Sequence, residues 1–190
     1  MLKAMTRATA ALALLYGVRR YYRNWGTTKE ECRLWLPGDE FVRQPFVQST
    51  EGVWIDAPPS AVWPWLNRIG GHRGDLTAGE TVRLTPWPRR GEPSGASLSV
   101  EQVTEGRSLV LRGTPPGFPW HAVWSFDLEP RWEDRCRLLL RMRAQLKRPG
   151  DIFRTELAGP VTAFAVRQLL LDIKHQAENS VHAAELSSAM

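Results

Sequence analysis

The strongest constraint on this chain is a pair of alternating stretches separated by a short polar turn. Trp120, Ala122, Trp124, Phe126 and Leu128 share one side of an extended segment, opposite His121, Ser125 and Asp127. Past Pro130–Asp134, residues Cys136, Leu138, Leu140, Met142, Ala144 and Leu146 alternate with Arg137, Arg141, Arg143 and Lys147. Side chains of a strand point to opposite faces in turn, so each run has one apolar face, and the two are predicted to pair as an antiparallel hairpin. The same alternation assigns Arg137, Arg141 and Arg143 to a solvated outer face. A sheet with one apolar face needs a lid on that face.

The lid is predicted beyond Gly159-Pro160, where the chain reads as a helix to about Glu178. Val166, Leu169, Leu170, Ile173 and Ala177 form an apolar stripe at helical spacing, and Arg167, Lys174 and Glu178 form the opposite, charged one. Phe164 and Leu171 lie beside the charged stripe and widen the apolar surface.

Upstream, Gln48–Asp56 reads as a strand. Pro58-Pro59 then open a helix over Ser60–Ile69 with Val62, Trp65, Leu66 and Ile69 on one face, stopped by Gly70-Gly71. A short strand is predicted at Thr81–Thr85, followed by a proline-rich loop. Two further strands place Leu98, Val100 and Gln102 on one face of the first, and Leu109 and Leu111 on one face of the second. A strand, a helix, several antiparallel strands and a long final helix make an α+β chain, with a curved antiparallel sheet gripping the C-terminal helix.

The chain's 190 residues, 43% of them apolar and nine of them Trp, suffice for one core. Two cysteines, Cys32 and Cys136, exclude a disulfide scaffold and a zinc ribbon. The net charge of +5 belongs to the N-terminus: residues 1–29 hold Lys3, Arg7, Arg19, Arg20, Arg23 and Lys29 and no acid. The remainder is near neutral and offers little field to steer nucleic acid, which is not expected as a partner.

Ala8–Val18 is an uncharged, mostly apolar run, too short to span a bilayer. It fits a signal peptide, a helix packed on its own domain or a frayed tail, or an interfacial anchor. As an anchor, Leu12, Leu15, Tyr16, Arg19, Arg20, Tyr21 and Arg23 would touch an anionic membrane surface. The organisation expected is a basic apolar tail over 1–23, an irregular lead-in over 24–47, a folded domain over 48–178 and a tail over 179–190.

No nucleophile elbow, P-loop or dinucleotide fingerprint is present, and the four His lack metal-ligand spacing. His72 and Arg73 fit either a ligand contact or a solvated turn, and His121 reads as surface polar. Cys136 falls on the buried stripe as a small apolar thiol, and Asp151 and Glu156 suit a helix N-terminus. No acid–base pair, metal site or cofactor is assigned.

Asp56-Ala57-Pro58-Pro59 with Ala61-Val62-Trp63-Pro64-Trp65-Leu66 resembles the opening strand–helix of the START/Bet v 1-like (SRPBCC) superfamily, especially bacterial polyketide cyclase/dehydrase-like proteins. Asn24–Thr28 leading to Leu36–Glu40, Trp124–Pro130, Arg137–Arg143 and the helix end Asp172–Glu178 are similar too, in the right order. The resemblance implies a helix-grip fold with a cavity between sheet and C-terminal helix, used for sterols, lipids, polyketides or plant hormones. Similar proteins tend to carry a Tyr/Trp-rich insertion over the cavity mouth, whereas this chain passes from Gly74 almost directly to Asp75–Glu80.

The expected wall of a ligand site is Trp65, Leu109, Leu111, Trp124, Phe126, Leu140, Met142, Phe164 and Leu170, a set that fits a filled core equally well. The function expected is non-catalytic binding or carriage of an apolar small molecule or lipid. The alternatives are a cyclase/dehydrase-type enzyme and a partner-binding module with a filled core. The expected location is cytoplasmic, with peripheral attachment at the inner face of the membrane following from the anchor reading of the tail.

Overall fold

The computed structural model describes residues 9, 17, 23–71, 74–84, 96–114, 121–145 and 151–188, with side chains of the last helix from 159 to 187. Strands β1 (Val47–Ile55), β2 (Thr81–Leu84), β3 (Ala96–Thr104), β4 (Ser108–Gly113), β5 (His121–Trp132) and β6 (Arg135–Gln145) form one antiparallel sheet in the order β1-β6-β5-β4-β3-β2. Helix α1 (Pro59–Leu66) follows β1, and helix α2 (Asp151–Ser188) closes the chain.

The predicted hairpin is the spine of the sheet. Its register opposes Trp124 to Met142, Phe126 to Leu140 and Leu128 to Leu138, so the two apolar faces coincide. β5 runs further than expected, and Glu133-Asp134 alone make the turn. A register shift between Pro130 and Trp132 there, and another between Val100 and Gln102 in β3, bend the sheet as bulges do. The β3 bulge also corrects the expected face. Gln102 turns outward and is exposed, while Val103 takes the next inward place opposite Leu109.

Along α1, Val62, Trp63 and Leu66 are buried and Trp65 is half-buried, because the helix is gripped on its Trp63 side as well. The final helix begins at Asp151 and runs through Pro160 to Ser188, longer at both ends than predicted. Leu170, Ile173 and Ala177 join inner-face residues of all six strands, and those of α1, in one continuous core. The closing helix therefore lies across the hollow of the sheet, as the helix-grip expectation requires.

The charged stripe of α2 is not a free surface. Arg167 Nε lies 3.7 Å from Glu51 Oε2, Lys174 Nζ donates to the Trp54 carbonyl at 2.7 Å, and the Asp56 N–H donates to Glu178 Oε1 at 2.8 Å. Three polar contacts, spread over about three turns, thus fasten the helix along edge strand β1.

The outer face of the sheet departs most from expectation. Arg137 and Arg141 are fully buried and Arg143 is half-buried, because the lead-in folds back over them. Arg137 forks onto Glu31, with Nε–Oε1 at 2.8 Å and Nη2–Oε2 at 3.1 Å. Arg141 meets Asp39 Oδ2 at 2.9 Å, Thr50 Oγ1 at 3.1 Å and the Glu31 carbonyl at 2.7 Å. Arg143 Nε reaches Asp39 Oδ1 at 3.0 Å and Gln48 Oε1 at 2.9 Å. Alternation told which face the arginines occupy, but not that acids from the lead-in would cover it. The solvated reading is corrected accordingly.

The lead-in also shields the edge of β1. Gly52 N–H donates to the Trp25 carbonyl at 3.1 Å and Thr27 Oγ1 donates to the Thr50 carbonyl at 3.0 Å. Gly26 sits at φ 71°, where a Cβ would come within 2.2 Å of the Gly52 oxygen, so only glycine permits this approach.

Candidate ligand site between sheet and helix

The inner wall is built from strands in register. Leu109 and Leu111 of β4 stand opposite Phe126 and Trp124 of β5, which in turn face Leu140 and Met142 of β6. Leu109, Leu111, Trp124, Phe126, Leu140 and Leu170 are buried in the common core, with Trp65 and Met142 half-buried against it. These eight of the nine wall residues are brought together. Phe164 is not among them: with Val161 it is exposed on the outer side of α2.

One residue that the alternation reading passed over stands inside this wall. β1 sends Val47, Ser49, Glu51, Val53 and Ile55 toward the helix and Gln48, Thr50 and Trp54 toward the lead-in, as the partners of each side chain show. Glu51 is 2% exposed, faces Leu140 across the ladder, and its Oε2 has no hydrogen-bond partner. Burial pushes its carboxyl up to about 8, against the opposing charge of Arg167. The Arg167 guanidinium lies over the Trp25 ring, 5.2 Å from its centroid, so a lead-in residue helps hold the cation beside the acid. Glu51 and Arg167 thus place an ion pair at the interior, where the sequence pattern assigns no ionisable residue to the wall. Period-two counting through Val47, Ser49, Val53 and Ile55 was the available signal for Glu51.

Cys136 is fully buried on the inner face, and burial, then the charge of Glu178, raises its thiol to about 11. It is a packing residue with little thiolate at neutral pH. On the outer face, Asp127 is buried with its carboxyl raised by desolvation, which Arg107 at 3.5 Å partly offsets. Among the described residues no group of three or more His, Cys, Asp and Glu could hold a metal ion. His72, Arg73 and the tail residues Leu12, Leu15, Tyr16, Arg19, Arg20 and Tyr21 lie outside the described residues, as do the side chains of Asp151 and Glu156. Arg23 is half-buried.

No protein-family model matches the sequence, and no curated protein does. Solved structures do match in shape. A protein from Arthrobacter aurescens is 13% identical, with a TM-score of 0.54 over 70% of this chain and 86% of its own. A protein of unknown function from Staphylococcus aureus is 11% identical, with a TM-score of 0.53 over 72% and 97%. The Aha1 dimer from Colwellia psychrerythraea is 17% identical, with a TM-score of 0.48 over 70% and 97%. At these identities the likeness is one of fold. The six-stranded antiparallel sheet and the long helix lying across it give the chain a helix-grip fold.

Proposed function

We propose that this chain binds an apolar small molecule or lipid between the inner face of its sheet and helix α2, without chemistry of its own. The observation that carries this reading is Glu51: a carboxyl with an unfilled hydrogen-bonding atom, set in an otherwise apolar wall. A core selected only for stability has no use for such a group, because an unsatisfied buried polar atom costs roughly 1–3 kcal/mol. Val47, Val53 and Ile55 show what the same strand face carries where it only packs.

Native mass spectrometry of the gently extracted full chain tests the reading. Adducts of apolar molecules, or uptake from a lipid and sterol panel, are expected. A consistently empty protein with no uptake would overturn it.

A membrane surface is proposed as the place where the ligand is exchanged. Trp35, Phe41, Phe46, Val161 and Phe164 are all exposed. Phe46 directly precedes β1 and donates its N–H to Ala144 near the end of β6, while Val161 and Phe164 lie about a turn before Arg167, so these three sit toward one end of the sheet. Together with the basic, apolar tail they supply what interfacial binding needs: apolar side chains that insert and cations that meet anionic headgroups. No described helix is long and apolar enough to cross a bilayer. Flotation with phosphatidylglycerol vesicles, but not phosphatidylcholine vesicles, is expected, and should be lost without residues 1–22. Equal flotation after that deletion would rule the tail out as the anchor.

A further inference from the structure

We propose that Glu51 is the polar end of the ligand site and that the ligand is an apolar molecule carrying a hydroxyl group, which donates to the Glu51 carboxylate. This rests on the reading of the sheet–helix interior as a ligand site, and adds to it the chemical class of the ligand.

The argument starts from what surrounds the carboxyl. Ser49 and Val53 flank it on β1, Leu140 faces it from β6 with half-buried Met142 diagonal to it, and Trp25 approaches from the lead-in. Arg167, from α2, is the charged group that faces it among the described residues; the inner faces of β1 and β6 near it are otherwise uncharged. Arg167 Nε at 3.7 Å is beyond hydrogen-bonding distance of Oε2, so the ion pair leaves that oxygen unfilled.

In its ionised form this site is completed by a neutral group that donates a hydrogen bond. A ligand ammonium would face the Arg167 cation, and a ligand carboxylate would place a second acid against Glu51. A hydroxyl does neither. Its hydrogen bond stabilises the charged form of Glu51, and so does the nearby guanidinium, so the two reinforce each other. A carbonyl could only accept from the protonated carboxyl, so its affinity would fall as pH rises, the opposite of what a hydroxyl predicts. Burial without a partner holds the free carboxyl at about 8. Ligand binding at neutral pH therefore releases a proton, and affinity rises with pH until the free group has ionised.

The test uses the full chain and three matched pairs: dodecanol and its methyl ether, cholesterol and its methyl ether, and 4-nonylphenol and 4-nonylanisole. Affinities are read from tryptophan fluorescence between pH 6 and 9. On at least one scaffold the hydroxyl compound should bind about tenfold or more tighter than its ether, as a hydrogen bond to a charged group implies. Its affinity should climb toward pH 8 and level off above. Glu51→Leu should bring alcohol and ether within about twofold of each other, since neither then finds a partner. Glu51→Gln keeps the shape and should keep part of the preference while losing the pH dependence; thermal melts verify that both variants fold. Equal binding of alcohol and ether, a preference that survives Glu51→Leu, a pH dependence that survives Glu51→Gln, or affinity that falls as pH rises would each overturn this inference and leave apolar binding standing. Failure of every compound to bind would overturn both.

Discussion

Arg141 and Asp39 are separated by 102 residues of sequence, yet their side chains meet at 2.9 Å with each only 1% exposed. The pair joins the sheet to a segment with no regular secondary structure beyond a single turn of 3-10 helix at Asp39–Val42. Asp39 also accepts from the Leu36 N–H at 3.1 Å and from Arg143, so one carboxylate organises a turn and two arginines.

Removing one partner strands the other charge in a dry place. Asp39→Ala or Arg141→Ala is expected to cost about 3–5 kcal/mol, as measured for broken buried ion pairs. The double change Asp39→Ala with Arg141→Ala should cost clearly less than the two single losses combined. Urea unfolding of the four proteins completes the cycle, and additive losses would show that the pair is not coupled.

Two buried acids should give opposite pH slopes. The Glu51 carboxyl is raised to about 8, so between its ordinary value and 8 the folded chain holds a proton that the unfolded chain has lost. Stability then falls with rising pH across that window, by at most about 1.4 kcal/mol per pH unit for one proton. Glu51→Gln should flatten this slope in melts taken from pH 5 to 9. At Glu31 burial pushes the carboxyl up, but the hydrogen bonds from Arg137 and Thr28 and the charge of Arg137 outweigh it and hold the group below its ordinary value. Its contribution is present above that ordinary value and disappears as pH falls through the lowered one, so Glu31→Gln should soften acid unfolding. A wild-type melting curve flat from pH 5 to 9 would contradict the Glu51 assignment.

The fold was legible in the chain wherever one face of an element was apolar. The β5–β6 hairpin and the Leu170, Ile173, Ala177 stripe follow from period alone, because burial of a face forces a repeat in the residues that make it. What was not legible came from segments without a period. The lead-in buries Leu36 and Val42 and supplies Glu31 and Asp39, but no repeat announces which surface it covers. So the arginine row read as solvated, and the charged stripe of α2 gave no sign that it seams the helix to β1. The helix was expected only beyond Gly159-Pro160; it instead passes through both, at the cost of one backbone hydrogen bond. Of the site, the apolar wall was readable and Glu51 was not, because one acid in a strand is ordinary until its neighbours two residues away are seen to be buried.

The two thiols should differ in reactivity by more than exposure alone. Cys136 is buried with its thiol raised to about 11, while Cys32 is half-buried beside Asn24 Oδ1 and Thr27 Oγ1, at 3.4 Å from each. At pH 8 a thiol of that acidity is about a thousandth thiolate. Native-state labelling with iodoacetamide, followed by peptide mapping, should mark Cys32 and spare Cys136. Equal labelling would mean that the α2 seam opens readily.

Lys174 bonds the backbone of Trp54 in β1, Glu178 that of Asp56 just past it, and the two lie 3.0 Å from one another. Lys174→Ala and Glu178→Ala should each cost about 0.5–1.5 kcal/mol. Hydrogen exchange offers a sharper readout: the Asp56 amide should lose protection in Glu178→Ala, and unchanged protection there would disprove the seam.

Because the lead-in both neutralises the outer arginines and occupies the free edge of β1, the sheet cannot be trimmed to its regular elements without consequence. A chain begun at Val47 would bare a guanidinium row and an unpaired ribbon edge at once, inviting it to recruit a neighbour's backbone in place of its own. The smallest piece able to stand by itself therefore keeps the lead-in from Asn24 onward, a stretch marked by a single 3-10 turn before β1.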